Sequence, residues 1–259
     1  MEQFDIIVIG AGIAGSAAAF FLAEQGHKVA LIEKGKPASG PTGRSSALTH
    51  AFYLMPELSQ LAIRGVEVLR RLPEWTGEGK VHHEIGMLWV CGPDAEAEWT
   101  KAAERIRGEG SEIDILDMPG LKKLAPSLVA GGLTMALWEP RYGYADAYGA
   151  ANALTKGARQ RGAVVFLDTA VKAIAVRNGK VAGVETEQHG LLSAPRVISA
   201  AGVWTRPLMA AIGCDLPIFV ERHEMAVLEG EGRARQHLPF AWCDDTLSLI
   251  HISEPTRPY

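Results

Sequence analysis

The stretch "FDIIVIGAGIAGSAAAFFLAEQGHKVALIEK", residues 4–34, decides the fold. Phe4 to Ile9 is a continuous apolar, β-branched run, the composition of a parallel strand buried on both faces. Gly10, Gly12 and Gly15 follow in G-x-G-x-x-G spacing. From Ile13 to Gln25 the pattern becomes helical and alanine-rich, and Gly26 ends it. Val29 to Ile32 reads as a second strand, with Glu33 at its C-terminal end and Lys34 next.

Each part has a physical task. Gly10 permits the tight turn out of the strand, Gly12 lets backbone approach a pyrophosphate, and Gly15 lets the helix pack on the sheet. Ile13 and Ala14 open the helix, where unpaired N–H groups and the positive end of the dipole face the phosphates. Glu33 stands near the offset of a carboxylate that binds a ribose hydroxyl, and it would repel a 2′-phosphate, which disfavours NADP. Strand, glycine turn, helix and second strand together predict a dinucleotide site; they do not separate NAD from FAD.

The 259 residues are 47% hydrophobic and 22% charged, enough for one large domain or two interleaved ones. Net charge is −4 with the signs mixed, so nothing suggests a nucleic-acid partner or a basic membrane patch. Cys91, Cys214 and Cys243 follow no CxxC spacing and read as core filler in a reducing compartment. Glu2 and Asp5 stand where a leader would be basic, and no apolar run reaches transmembrane length. These features predict a cytoplasmic protein without a transmembrane segment.

Further along stand "PTGRSSALTHAFY", residues 41–53, and "APRVISAAGVWTRPLMAAIG", residues 194–213. With the N-terminal fingerprint, the Thr42-Gly43-Arg44-Ser45-Ser46 segment and the Ile198-to-Gly202 strand ending, the chain resembles the D-amino-acid-oxidase-like (DAO) family of FAD-dependent oxidoreductases, from Phe4 to about Glu229. The family includes glycine and sarcosine oxidases and D-amino-acid dehydrogenases. The resemblance implies an α/β fold: a Rossmann-type FAD-binding domain with an interleaved antiparallel-sheet substrate domain, here incomplete. Residues 1–78 and 141–214 are expected to form the FAD domain, and 79–140 and 215–246 the substrate domain.

The residue patterns agree. "PELSQLAIRGVEVLRRL" (56–72) and "AEAEWTKAAERIRGEG" (95–110) have helical spacing; "HHEIGMLWVCG" (82–92) alternates like a strand with one wet face, and "GGLTMALWEP" (131–140) reads as another. A helix is predicted from Ala147 to Gln160 with Asp146 as N-cap, then strands at "AVVFLD" and around Val171–Ala175 and Val181–Thr186.

The resemblance also implies site residues. Arg44, Ser45 and Ser46 should line the cofactor near the pyrophosphate, with helix capping as the alternative for the two serines. Backbone at Val171 should meet the adenine, and Ala201 and Gly202 the ribityl–phosphate region. Some relatives attach flavin through a histidine in the segment matching 42–46; this chain has Arg44 and no histidine there, so a dissociable flavin is expected. A flavin accepts the hydride, and the protein must hold an amino-acid carboxylate and a neutral amine against it. Arg222 is the candidate carboxylate clamp, with an ordinary strand arginine as the alternative, and His50 or Tyr53 could orient the amine or simply pack. Leu48, where D-arginine-type relatives carry histidine, weighs against guanidino substrates. His82 and His83 show no metal-ligand spacing and read as surface; Trp89, Trp138 and Trp204 read as core.

The implied reaction is oxidation of the C–N bond of an amino acid or secondary amine, with oxygen, a quinone or another acceptor taking the electrons. A 2-hydroxy-acid or glycerol-phosphate-type flavin dehydrogenase and a non-catalytic flavin-binding chain stay open beside it. The final "LSLIHISEPTRPY", Leu247 to Tyr259, bears on the last. Codons for Leu247–Arg257 can be written as the transposase adapter used in DNA library preparation, so residues 247–259 are expected to be non-native and the natural sequence to leave this one near Thr246. On that reading the chain alone is inactive and exposes apolar surface.

Overall fold

The structure, a computed structural model, describes residues 3–221 and the backbone of 241–244. Two compact units partition the chain: Met1–Ser45, Arg71–Val81 and Asp146–Met225 in the first, and Ser46–Arg70, His82–Ala145 and Ala226–Tyr259 in the second. The Arg222 and residues 247–259 expectations lie outside the described residues.

In the first unit, strand β1 (Ile6–Ile9) is buried at every position, as its unbroken apolar run requires. It pairs in parallel with β2 (Val29–Ile32) on one side and with Val197–Ser199 on the other, and Val164–Phe166 extends the sheet beyond β2. Helix α1 (Ile13–Glu24) crosses between β1 and β2, and its alanine-rich surface packs on helix Ala147–Gln160. Small residues allow that close approach: Ser16 and Thr155 hydroxyls meet at 3.0 Å, and a side chain on Gly157 would strike the Phe20 ring. Asp146 caps the second helix as predicted, its carboxylate accepting from Gly149 N. An antiparallel sheet of Val171–Arg177, Lys180–Thr186 and Gly190–Ser193 completes the unit, joining Ile174, Val184 and Leu192 to Phe4, Ile7 and Ile32 in one core.

The second unit holds a sheet in the order Ala241–Asp244, Met87–Cys91, Met135–Glu139, Asp114–Leu116; the first pair is parallel and the others antiparallel. The expected single strand over 82–92 is two strands, His82–Glu84 and Met87–Cys91, parted by Gly86 at φ 87°, where a side chain would collide with the Trp138 ring. Nor has Met87–Cys91 a wet face. Met87 and Cys91 pack with Trp99 and Ile106 of helix Pro93–Gly108, while Leu88 and Val90 pack with Leu121 of helix Met118–Leu124. Helix Pro56–Thr76 runs one turn past the predicted stop before Pro73 and passes from the second unit into the first at Arg71.

Four surface and core expectations are corrected. His82 is 1% exposed and its Nε2 lies 2.9 Å from Thr49 Oγ1, because its strand is hydrogen-bonded inside the small sheet Leu48–Thr49, Gly143–Ala145, His82–Glu84. His83, half-buried, stacks on Tyr144 at 4.7 Å. Cys214 is exposed, whereas Cys91 is core as expected. Trp204 is 46% exposed, since it follows a strand end and stands in a short 3-10 turn.

Candidate nucleotide-binding site

The first unit carries a cleft of about 710 Å³ at the C-terminal ends of β1 and β2. Its floor is the glycine turn. Gly10 takes φ 98°, and a Cβ there would lie 2.5 Å from Ala200 O, so the turn and the neighbouring strand end can approach only through glycine. Gly15 is not part of the lining; a side chain there would collide with Gly10 O, so it sets the seat of the helix on the turn. Ser16 N is the first to bond back into α1, to Gly12 O at 2.9 Å, which leaves the earlier N–H groups without helical partners. One of them, Ile13 N, donates to Thr42 Oγ1 at 3.1 Å.

Glu33, 9% exposed, is the most heavily tied residue of the site. Its Oε2 accepts from Ala11 N at 2.8 Å and its Oε1 from Gly35 N at 2.9 Å. Its own N–H donates to Phe166 O, and its carbonyl accepts from Thr169 N. The carboxylate thus joins the glycine turn to the end of β2. Each oxygen keeps a lone-pair direction for a ligand hydroxyl. Lys34 lines the cleft with its ammonium 3.1 Å from the centroid of the Trp204 ring, a cation–π contact.

The structure brings Gly10, Gly12, Ile13, Ala14, Glu33, Lys34, Val171, Ala201 and Gly202 to this one cleft. Arg44, Ser45 and Ser46 are not among its lining residues. Pro41–Arg44 forms a 3-10 turn that Ser45 caps, its hydroxyl donating to Thr42 O at 2.9 Å; Arg44 and Ser45 are exposed, and Ser46 belongs to the second unit. Thr42 lines the cleft in their place. Within Thr42–Ser46 the charged and serine members were expected at the cofactor; Thr42, whose hydroxyl accepts from the helix N–H of Ile13, is the member that lines the cleft. Trp204 and Thr169 also line the cleft; the only signal for Trp204 was its place just after the Ala200-Ala201-Gly202 strand end.

His50 and Tyr53 stand together in the second unit. Their rings are 4.5 Å apart, and His50 meets Trp89 edge-on at 4.8 Å. His50 Nδ1 lies 3.1 Å from Phe52 O; a carbonyl only accepts, so Nδ1 carries the proton and Nε2 keeps its lone pair. Burial, opposed by that hydrogen bond, lowers the His50 pKa to about 4. Burial, helped by the charge of Glu139, raises that of Tyr53, which therefore stays a phenol donor.

A sequence profile of the family described as "FAD dependent oxidoreductase" (DAO) matches residues 5–256. The chain belongs to this family. Among its relatives, the chain is 28% identical to the mitochondrial dimethylglycine dehydrogenase of Rattus norvegicus over 228 residues, 87% of this chain and 26% of that protein. It is 28% identical to the monomeric sarcosine oxidase of Bacillus sp. (strain B-0618) over 237 residues, 88% of this chain and 59% of the oxidase. The crystal structure of L-proline dehydrogenase from P. horikoshii superposes with a TM-score of 0.73 at 28% identity, covering 82% of this chain and 56% of that one. The chain therefore spans about a quarter of the dehydrogenase and under two thirds of the oxidase. The α/β fold of this family, with parallel and antiparallel sheets, is the fold observed here. Members are FAD-dependent, and the cleft fits that cofactor in kind: bare helix N–H groups at a glycine turn, a carboxylate at the end of β2, and apolar walls from Ile9, Val171 and Leu208. Among the described residues no helix is long and apolar enough to cross a membrane.

Proposed function

We propose that the first unit binds FAD and that the protein oxidises the C–N bond of an amino acid or secondary amine of the glycine, sarcosine or D-amino-acid type. The observation that carries the reading is the convergence of the glycine turn, Glu33, Val171 and Ala201–Gly202 on one cleft in a chain of an FAD-dependent family. Gly10, Gly12, Ile13 and Ala14 offer backbone to the pyrophosphate, Glu33 takes the ribose hydroxyls, Val171 meets the adenine, and Ala201 and Gly202 meet the ribityl–phosphate region. Gly15 seats the helix, Lys34 adds positive charge, and Arg44, Ser45 and Ser46 are proposed to act near the pyrophosphate. Bound flavin supplies the hydride acceptor for the substrate α-carbon.

The second unit is the substrate side in this reading. His50, neutral at pH 7 with its Nε2 lone pair free to accept an amine N–H, orients the nitrogen rather than acting as a strong base. Tyr53 donates its phenol, and Arg222 holds the carboxylate. Electrons pass on to oxygen, a quinone or another acceptor, and the setting is cytoplasmic. The relatives named for dimethylglycine and sarcosine support an N-methylated amino acid first. The test is twofold: FAD titration of the 259-residue chain followed by tryptophan quenching, then anaerobic flavin bleaching with an amine panel, in this chain or a longer protein containing it. Saturable FAD binding and amine-dependent bleaching are expected. Bleaching by 2-hydroxy acids with none by amines would sink the amine reading.

A further inference from the structure

Glu139, the last residue of strand Met135–Glu139, is a carboxylate with 0% exposure. It takes part in none of the salt bridges formed among the described residues. Three N–H groups converge on it instead. Ala51 N and Phe52 N donate to Oε1 at 2.8 and 3.1 Å, and Trp89 Nε1 donates to Oε2 at 2.8 Å. A buried carboxylate is an expensive way to fill a core, and an apolar side chain of like volume would usually do so better. What it provides is geometry. Two successive N–H groups of a loop are aimed at one oxygen, and that loop lies between strand Leu48–Thr49 and helix Pro56–Thr76 with no strand partner among the described residues.

The same contacts govern the His50 and Tyr53 rings. His50 bonds to the carbonyl of Phe52, whose N–H Glu139 holds, and His50 and Phe52 both pack on the Trp89 ring, at 4.8 and 5.2 Å. At the far end, Arg105 donates to Tyr53 O at 2.7 Å and to Ser59 Oγ at 3.3 Å. The loop is thus fixed by the Glu139 carboxyl at Ala51–Phe52 and a cation at Tyr53. We propose that Glu139 is the positioning residue of the substrate side: it acts through the Ala51–Phe52 backbone and the Trp89 indole to set the His50–Tyr53 ring pair. The titratable groups that feel its charge are Tyr53 and Tyr142, with Arg105 behind Tyr53 and Arg70 and Arg141 beside Tyr142. Burial raises its pKa to about 7, opposed by the three N–H donors, so the geometry and the titration describe the same node.

This rests on the reading of His50 and Tyr53 as amine-orienting groups, so the test contains neither flavin nor substrate. NMR spectra of the 259-residue chain and of Glu139→Gln are compared, with the ring signals of His50 and Tyr53 assigned by their loss in His50→Gln and Tyr53→Phe. Glutamine keeps the volume but turns an NH2 toward at least one of the three donors. The expected result is a shift of the Trp89 indole N–H and of both ring signals by more than a linewidth, with methyl signals of Ile174 and Val184 in the first unit unmoved. Unshifted His50 and Tyr53 signals in the folded variant overturn the proposal. If Glu139→Gln does not fold, Glu139→Asp, which keeps the carboxyl but shortens its reach toward the Ala51 and Phe52 N–H groups, is read in the same way. Failure of the amine reading shows separately, as turnover unchanged in His50→Gln.

Discussion

The His50 and Glu139 environments predict an unusual pH dependence of stability. His50 falls from an ordinary 6.5 to about 4, and Glu139 rises from an ordinary 4.5 to about 7, burial being the largest cause for both. The two shifts act with opposite sign. A histidine buried neutral contributes stability that is complete above pH 6.5 and lost as pH falls toward 4. A carboxyl with a raised pKa contributes stability that is complete below pH 4.5 and lost as pH rises through 7. Displacements of this size correspond to about 3 kcal/mol for fully buried Glu139 and, after discount for solvent screening, about 2 kcal/mol for half-buried His50. Between about pH 4.5 and 6.5 the folded pair holds one proton on Glu139 and the unfolded pair holds one on His50. Proton counts match, so the pair adds almost no slope there.

Removing either member exposes the other. Glu139→Gln removes the carboxyl arm, so stability relative to the parent should climb from about pH 4.5 to 7. His50→Gln removes the histidine arm, so stability relative to the parent should decline from about pH 4 to 6.5 and then level off. The assay is urea unfolding followed by tryptophan fluorescence at half-unit pH steps, with midpoint and slope fitted at each. Other titrating groups cancel in the difference between parent and variant. Difference curves that stay flat within about 0.5 kcal/mol across the window would refute the assigned protonation states.

Other perturbations probe the cleft and the sheets. Gly15→Ala drives a methyl into Gly10 O, a backbone atom that cannot turn aside; a loss of about 1–3 kcal/mol and at least tenfold weaker FAD binding are expected by thermal melting and FAD titration. Glu33→Ala strips the acceptor from Ala11 N and Gly35 N, at about 1–3 kcal/mol for buried Ala11 N and less for part-buried Gly35 N, and FAD affinity should fall with it, measured by the same titration. Trp204→Phe should remove a large part of the tryptophan quenching that accompanies FAD binding, because Trp204 lines the cleft; quenching of parental amplitude would place the ligand elsewhere. Leu88→Ala should cost about 2–5 kcal/mol in urea unfolding, since Leu88 is 0% exposed beneath helix Met118–Leu124.

How much of this was legible in the sequence follows from the range of the forces involved. β1, the glycine turn, α1 and β2 are specified within thirty-odd consecutive residues, so their pattern shows without any tertiary information. The Asp146 cap is equally local, acting across three residues. Met87–Cys91 misled because alternation detects a single covered face, and here helices from two later segments cover both. Leu48–Thr49 and Gly143–Ala145 are too short to carry a period and exist only as a pair, some 94 positions apart at the Thr49–Gly143 hydrogen bond. Residues 46–70 were expected with the N-terminal segment, but their contacts join them to the second unit, a matter of packing partners that hydropathy cannot show. In the cleft, Glu33 was legible from its offset to the glycines, whereas Thr42 and Trp204 depend on loops whose path no local rule specifies. Glu139 was invisible for a like reason: its three donors come from elsewhere in the chain, at separations of 50 to 88 positions.

The neighbour of β1 at Val197–Ser199 has a consequence for biosynthesis. Ile7 pairs with Val197, 190 positions later, and the carbonyl of Ala200 closes against the glycine turn. At roughly 5–20 residues added per second, the ribosome needs on the order of ten seconds or more between making the two. During that interval one flank of an all-apolar strand has no partner, and the phosphate-facing turn lacks its wall. The ligand cleft is consequently a late product of translation: the glycine turn is made early, and its wall is the last part of the site to arrive.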